Sequence, residues 1–84
     1  MNDLVEFLLK RIAEDEADME LAASRRPFDG RARWLRECEA KRQIVSMYQI
    51  PTRELDAYDE QVLRLIAWPY VTHPDFDVRR WLPR

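Results

Sequence analysis

Eighty-four residues with 46% hydrophobic and 36% charged content fit a single globular domain, and a chain this short buries only about 60 to 65% of its unfolded surface, too little to enclose a large active site. The formal charge of −2 and pI near 5.4 work against binding a polyanion through the field of the whole molecule. One glycine, Gly30, amid abundant Ala, Leu, Glu and Arg predicts an all-α protein.

In the first segment Asp3 and Glu6 have the spacing of a capping box, and Leu4, Val5, Leu8, Leu9, Ile12, Met19 and Ala22 recur at helical intervals, which predicts a helix over 4–23. Arg26 precedes Pro27, and Phe28-Asp29-Gly30 carries turn chemistry, so the chain must turn there. A second helix over 30–49, capped by Asp29, places Trp34, Leu35, Cys38, Val45 and Tyr48 on one stripe with Ala40, Ile44 and Met47 beside it. Pro51 breaks that helix. Thr52 is positioned to cap a third over 53–68, with Leu55, Tyr58, Val62, Leu65 and Ile66 on its expected core face and Leu63 and Trp68 beside it, until Pro69 ends it. Residues 69–84 contain three prolines and read as extended chain, held across the bundle by Tyr70, Phe76 and Trp81. The expected architecture is thus one domain over 1–84, a three-helix bundle made of a helical hairpin and a third helix, closed by a docked C-terminal tail.

Charge divides along the chain. Residues 1–24 hold two basic and seven acidic side chains, 25–53 eight and three, and 54–84 four and six. The first two helices are therefore electrostatic complements, expected to pair Asp15 and Glu16 with Lys41 and Arg42 across the hairpin. No stretch has the basic start and apolar block of a signal sequence or the length of a membrane span, so a cytoplasmic protein with no membrane partner is expected. The single cysteine, Cys38, lies on a buried stripe and reads as a structural thiol in a reducing compartment.

Candidate chemistry is sparse. Glu14, Asp18, Glu16 and Glu20 stand one turn apart in pairs, but a helical di-metal site takes Glu-x-x-His motifs from facing helices, and the only histidine is His73. No metal, cofactor or catalytic residue is assigned. His73-Pro74-Asp75 repeats the tripeptide with which J-domain co-chaperones contact their chaperone, yet it lacks the second long helix that follows in a J-domain, and it reads as a local turn. The richest surface is 25–36, where Arg25, Arg26, Arg31, Arg33 and Arg36 could grip phosphates and the interleaved Phe28 and Trp34 could stack on bases.

Three blocks carry a family resemblance: 2–16, beginning Asn2-Asp3-Leu4-Val5-Glu6-Phe7-Leu8; 33–42, Arg33-Trp34-Leu35-Arg36-Glu37-Cys38-Glu39-Ala40-Lys41-Arg42; and 62–83, including Trp68-Pro69-Tyr70 and His73-Pro74-Asp75-Phe76. Together they resemble an uncharacterised family of short actinobacterial and actinophage proteins known only as a domain of unknown function. The resemblance implies no catalytic residues. It implies that 39–42 and 69–76 matter, and that a longer Trp- and His-containing segment of the relatives has shrunk here to 25–32. The expected function is a non-enzymatic protein-protein interaction module, such as a phage or host accessory protein acting on a host protein, whose partner is another protein or a second copy. Its candidate contacts are Arg25, Arg26, Phe28, Arg31, Arg33, Trp34, Tyr70, His73, Asp75, Phe76 and Trp81. The alternative is a small nucleic-acid-associated regulator using 25–36.

Overall fold

A computed structural model describes residues 2–25, 30–49 and 54–84. Helix α1 spans Asp3–Arg25, α2 Arg31–Ser46 and α3 Ala57–Ala67, followed by a 3-10 turn over Trp68–Tyr70. There is no strand among the described residues. The all-α, three-helix expectation holds, with α1 as the element against which both α2 and α3 pack.

Each helix end has a chemical cause. At α1 the cap is Asn2, one residue before the expected Asp3: its Oδ1 accepts from the Leu4 N–H at 2.8 Å and the Val5 N–H at 3.3 Å, leaving Asp3 and Glu6 to complement the helix dipole. The expected cap of α2, Asp29, lies outside the described residues. The N-cap position of α2 falls on Gly30, whose φ of 90° belongs to the left-handed region; nothing lies within 4 Å of an added Cβ, so the demand for glycine is conformational rather than steric. Helix α3 begins four residues later than expected. Thr52 lies outside the described residues, and the cap is Asp56, which accepts from the Asp59 N–H at 2.8 Å while its own N–H donates to Asp59 Oδ2 at 3.2 Å.

The core is built mostly on the first half of α1. Leu4, Val5, Phe7, Leu8 and Ile12 are buried against Cys38 and Val45 of α2, Leu63 and Ala67 of α3, and Phe76 and Trp81 of the tail. Two helical faces differ from expectation. On α2 only Cys38 and Val45 are buried; Trp34, Ile44 and Met47 are exposed. On α3 the buried line is Asp59, Leu63 and Ala67, whereas Tyr58 and Leu65, expected in the core, face solvent. Successive α-helical residues turn by about 100°, so Leu63 sits about 140° around the axis from Tyr58 and both cannot share one contact with α1.

The tail docks as expected but is not extended. Residues 71–75 and 78–82 form turns and bends, held by backbone bonds from Val71 to Trp68, His73 to Tyr70, Phe76 to His73, and both Arg80 and Trp81 to Asp77. Proline fixes φ near −65°, a value that suits tight turns as well as extended chain, and the buried Phe76 and Trp81 select the turns by pulling the backbone against α1.

Candidate functional site

The sequence-expected contact residues separate into two groups, and most of the tail group is consumed by the fold. Phe7 on α1 is ringed by four of its aromatic side chains: Tyr70 at 6.2 Å and His73 at 5.7 Å, both edge-on, Phe76 at 5.9 Å, and Trp81 at 5.0 Å and tilted 45°. Phe76 and Trp81 also meet edge to face at 5.7 Å. Both are buried, so neither reaches a partner without unfolding the tail. The Tyr70 hydroxyl donates to Asp15 Oδ2 at 2.6 Å, which ties the tail to the acidic side of α1. Burial first, then the Asp15 hydrogen bond and charge, push the Tyr70 hydroxyl well above its ordinary range.

His73-Pro74-Asp75 is a local turn. His73 Nδ1 accepts the Asp75 backbone N–H at 3.0 Å, and the Arg11 guanidinium reaches the same ring, 3.0 Å from Nδ1. Sequence reasoning missed Arg11. It is 6% exposed, its charge met by Glu14 at 3.0 Å and Asp75 at 3.6 Å, and its guanidinium carbon lies 5.2 Å from the Phe7 ring centroid. The available signal was position: Arg11 sits one turn after Phe7 and beside Ile12, on the apolar stripe. A long side chain there covers apolar surface with its methylenes and carries its charge to the edge.

Where it is described, the arginine group is partly paired, with Arg36 exposed and outside those pairs. Arg31 pairs with Glu20 at 2.5 Å, Arg33 with Glu37 at 3.3 Å, and Trp34 stands at the surface. Arg26 and Phe28 lie outside the described residues, as does the side chain of Arg25. The expected pairing across the hairpin is present in Arg42 with Glu16, and Arg42 also pairs with Glu39 of its own helix. Asp15, expected beside Lys41 and Arg42, accepts its hydrogen bond from Tyr70, and it and Lys41 both act on the Cys38 thiol. Cys38 is buried and free, and burial, reinforced by Asp15, raises its thiol pKa; that environment suits a packed sulfur rather than a nucleophile.

A different surface is left unfilled. Tyr58 is 76% exposed, Leu65 49% and Trp68 56%. Tyr58, Val62 and Leu65 project within about 60° of one another, and Trp68 follows one turn beyond Leu65, so they make a continuous stripe on the side of α3 turned away from α1. Their i, i+4, i+7 spacing was legible. Which way it pointed was not, because α3 is apolar on two faces.

Among known proteins, the model of a family of unknown function (DUF6221) matches residues 20–83. The chain belongs to this family. The match takes in the blocks at 33–42 and 62–83 and begins downstream of the one at 2–16. No curated protein and no solved structure matches.

Proposed function

We propose that this member of the family is a non-enzymatic protein-binding module that presents the outer stripe of α3 to a partner, working in the reducing cytoplasm without metal or cofactor. The observation that carries the reading is the second apolar face of α3. A helix apolar on both sides is normally covered on both sides, and here α1 covers only one while Tyr58, Leu65 and Trp68 stand in solvent. Isolated exposed leucines need no explanation, but a contiguous stripe containing Tyr and Trp has the composition of an interaction hot spot. Anchors one and two turns apart suit the helix-in-groove mode of recognition. The partner is a host protein, as for an accessory factor, or a second copy of the chain.

The test compares wild type with a Tyr58→Ser, Leu65→Ser, Trp68→Ser variant. Tyr58 is largely exposed but Leu65 and Trp68 are only about half exposed, so the variant should melt at a lower temperature yet remain folded at the temperature of the assay, as circular dichroism would verify. Affinity capture from native lysate, read by mass spectrometry, should lose its specific partner in the variant, since hot-spot truncations cost about 2 kcal/mol or more apiece. An identical captured set from both proteins would refute the reading. Salt-sensitive retention of wild type on single-stranded oligonucleotides, lost on Arg31→Ala and Arg33→Ala, would establish the nucleic-acid alternative in its place.

A further inference from the structure

The stripe on α3 is too small to be a whole interface, and what borders it identifies the chemistry of its partner. With about 150–250 Å² on each aromatic side chain, the exposed parts of Tyr58 and Trp68 amount to roughly 200–330 Å². A stable interface takes about 800 Å² from each partner, so contact must extend to the flank of the stripe. One flank, through Asp59 and Ile66, turns in toward α1, where Asp59 is buried and Ile66 packs on the core. The other leads through Gln61 and Arg64 into a groove of about 720 Å³ between the start of α1, α3 and the last turns of the tail.

That groove is basic in an acidic protein. Four arginines, Arg64, Arg79, Arg80 and Arg84, line it against two carboxylates, Asp3 and Glu60. Arg80 is occupied, bonded to Asp77 at 2.6 Å and 3.5 Å from Asp3. The others have spare capacity. The Arg64 side chain is 14% exposed yet makes one ion contact, at 3.4 Å to Glu60, and the guanidinium groups of Arg79 and Arg84 have no partner among the described residues. Arg84 is also fixed in place, since its backbone N–H donates to Gln61 Oε1 and its C=O accepts from Gln61 Nε2, both at 3.0 Å. Gln61 stands one turn from both Tyr58 and Leu65, so these two bonds join the groove to the stripe. The N-terminus of the 23-residue α1 opens beside it and adds the positive end of its dipole.

We infer that the partner of the α3 stripe is an acidic amphipathic protein segment, whose apolar side chains cover Tyr58, Leu65 and Trp68 while its carboxylates enter the groove to meet Arg64, Arg79 and Arg84. This rests on the protein-binding reading proposed above and specifies its ligand. Guanidinium groups bind carboxylates as planar forks with two parallel hydrogen bonds, which suits under-used arginines on a rigid wall. The acidic α1 and the net charge of −2 disfavour an extended polyanion or an anionic membrane, which would meet the whole surface rather than this groove.

The probe is a synthetic helix-forming peptide of about 15 residues with Leu and Phe at i, i+3, i+4 and i+7 and Glu elsewhere, compared with a twin in which Lys replaces every Glu. Binding to the full chain is followed by ¹H–¹⁵N NMR on the Trp68 indole and the Gln61 side-chain amide. The Glu peptide should bind at least about tenfold tighter than the Lys twin at 50 mM salt, with the preference shrinking as salt shortens the screening length. Arg79→Glu with Arg84→Glu, two exposed positions whose exchange leaves the core untouched, should abolish or invert the preference. Equal binding of the twins, with both lost on Tyr58→Ser and Trp68→Ser, would overturn the acidic-partner inference and leave the stripe reading standing. Failure of the Glu peptide to bind below about 1 mM, a preference unchanged in the Arg79 and Arg84 variant, or stronger binding to phosphatidylserine vesicles or oligo-dT would overturn it as well.

Discussion

Removing Trp81 should bring this protein close to the limit of folding. Trp81 is buried in the tail, its ring 5.0 Å from Phe7 and 5.7 Å from Phe76, with the Arg80 guanidinium 5.6 Å from its ring centroid. Trp→Ala at a buried site costs about 3–5 kcal/mol, in transfer free energy plus the cavity left behind. The aromatic contacts with Phe7 and Phe76 put this site toward the upper end, while its place at the edge of the core lets the tail relax and pulls the value back. We expect about 4 kcal/mol for Trp81→Ala. At about 0.05–0.15 kcal/mol per residue, a chain of 84 residues holds roughly 4–13 kcal/mol in total. One substitution would therefore remove a third or more of it. Urea unfolding followed by far-ultraviolet circular dichroism should show a lower midpoint with an unchanged slope if the variant still folds, or no cooperative transition if it does not. Truncation after Trp68, which also removes Phe76 and Tyr70, should abolish cooperative unfolding. A loss below about 1 kcal/mol for Trp81→Ala, or a truncated chain melting at the full-length temperature, would refute the docked tail as a structural element and leave it free to act as a binding element.

Arg11→Met should cost only about 1 kcal/mol, because Glu14 and Asp75 are mostly exposed and rehydrate once the guanidinium is gone, whereas Arg11→Ala should cost about 3 kcal/mol by also removing the packed stem; equal losses in urea titrations would show that the stem contributes nothing. Tyr70→Phe should cost about 1 kcal/mol near pH 7, less than a fully buried bond to a carboxylate because Tyr70 is half-buried. The folded Tyr70 pKa lies above the unfolded value of about 10, so its stabilisation is complete below pH 10 and declines as pH rises from there through the folded value. Urea midpoints of wild type and Tyr70→Phe should accordingly draw together as pH rises above about 10, and a constant gap would refute the Asp15 bond as its source.

The parts of the fold legible in the sequence are those governed by local chemistry. The start of α2 at Gly30, the end of α3 before Pro69 and the first apolar stripe of α1 each follow from two or three neighbouring side chains, whereas α2 ends at Ser46, three residues before the expected 49, and the expected break at Pro51 lies outside the described residues. What sequence could not settle depends on which of two good local choices the tertiary contacts favour. Asn2 and Asp3 can both cap a helix, and Asn2 prevails by one residue. The tail prolines are compatible with extended chain and with turns, and the burial of Phe76 and Trp81 decides. Arg11 sits on an apolar stripe where a charge is disfavoured until Asp75 and the His73 ring, more than sixty positions away, arrive to receive it. Of the tail residues singled out as contacts, Phe76 and Trp81 belong to the core and Tyr70 packs against it, because aromatic side chains near a chain end serve a thin core and a partner equally well on composition alone.

Helix α3 is where fold and proposed function compete for the same residues. Its eleven positions hold Leu63 and Ala67 for α1 and Tyr58, Val62 and Leu65 for the opposite side. The exposed part of the second face, above all Tyr58, adds apolar area that the isolated domain does not bury. The inner contact is correspondingly economical: Ala67 brings the helix close to α1, Leu63 fills the gap, and the reciprocal Asp56 and Asp59 cap fixes where the helix starts. With its N-terminus fixed by that cap and its C-terminus by the turn over Trp68–Tyr70, an eleven-residue helix that would be marginal alone becomes a rigid mount. Rigidity of this kind lowers the ordering cost of binding, because Tyr58, Leu65 and Trp68 are already arrayed along one line before a partner arrives. The tail would therefore serve the proposed binding face in two ways: Arg79 and Arg84 supply its charge, and by sealing Phe7 and anchoring Arg84 to Gln61 the tail holds α3 and the arginine groove in a single register.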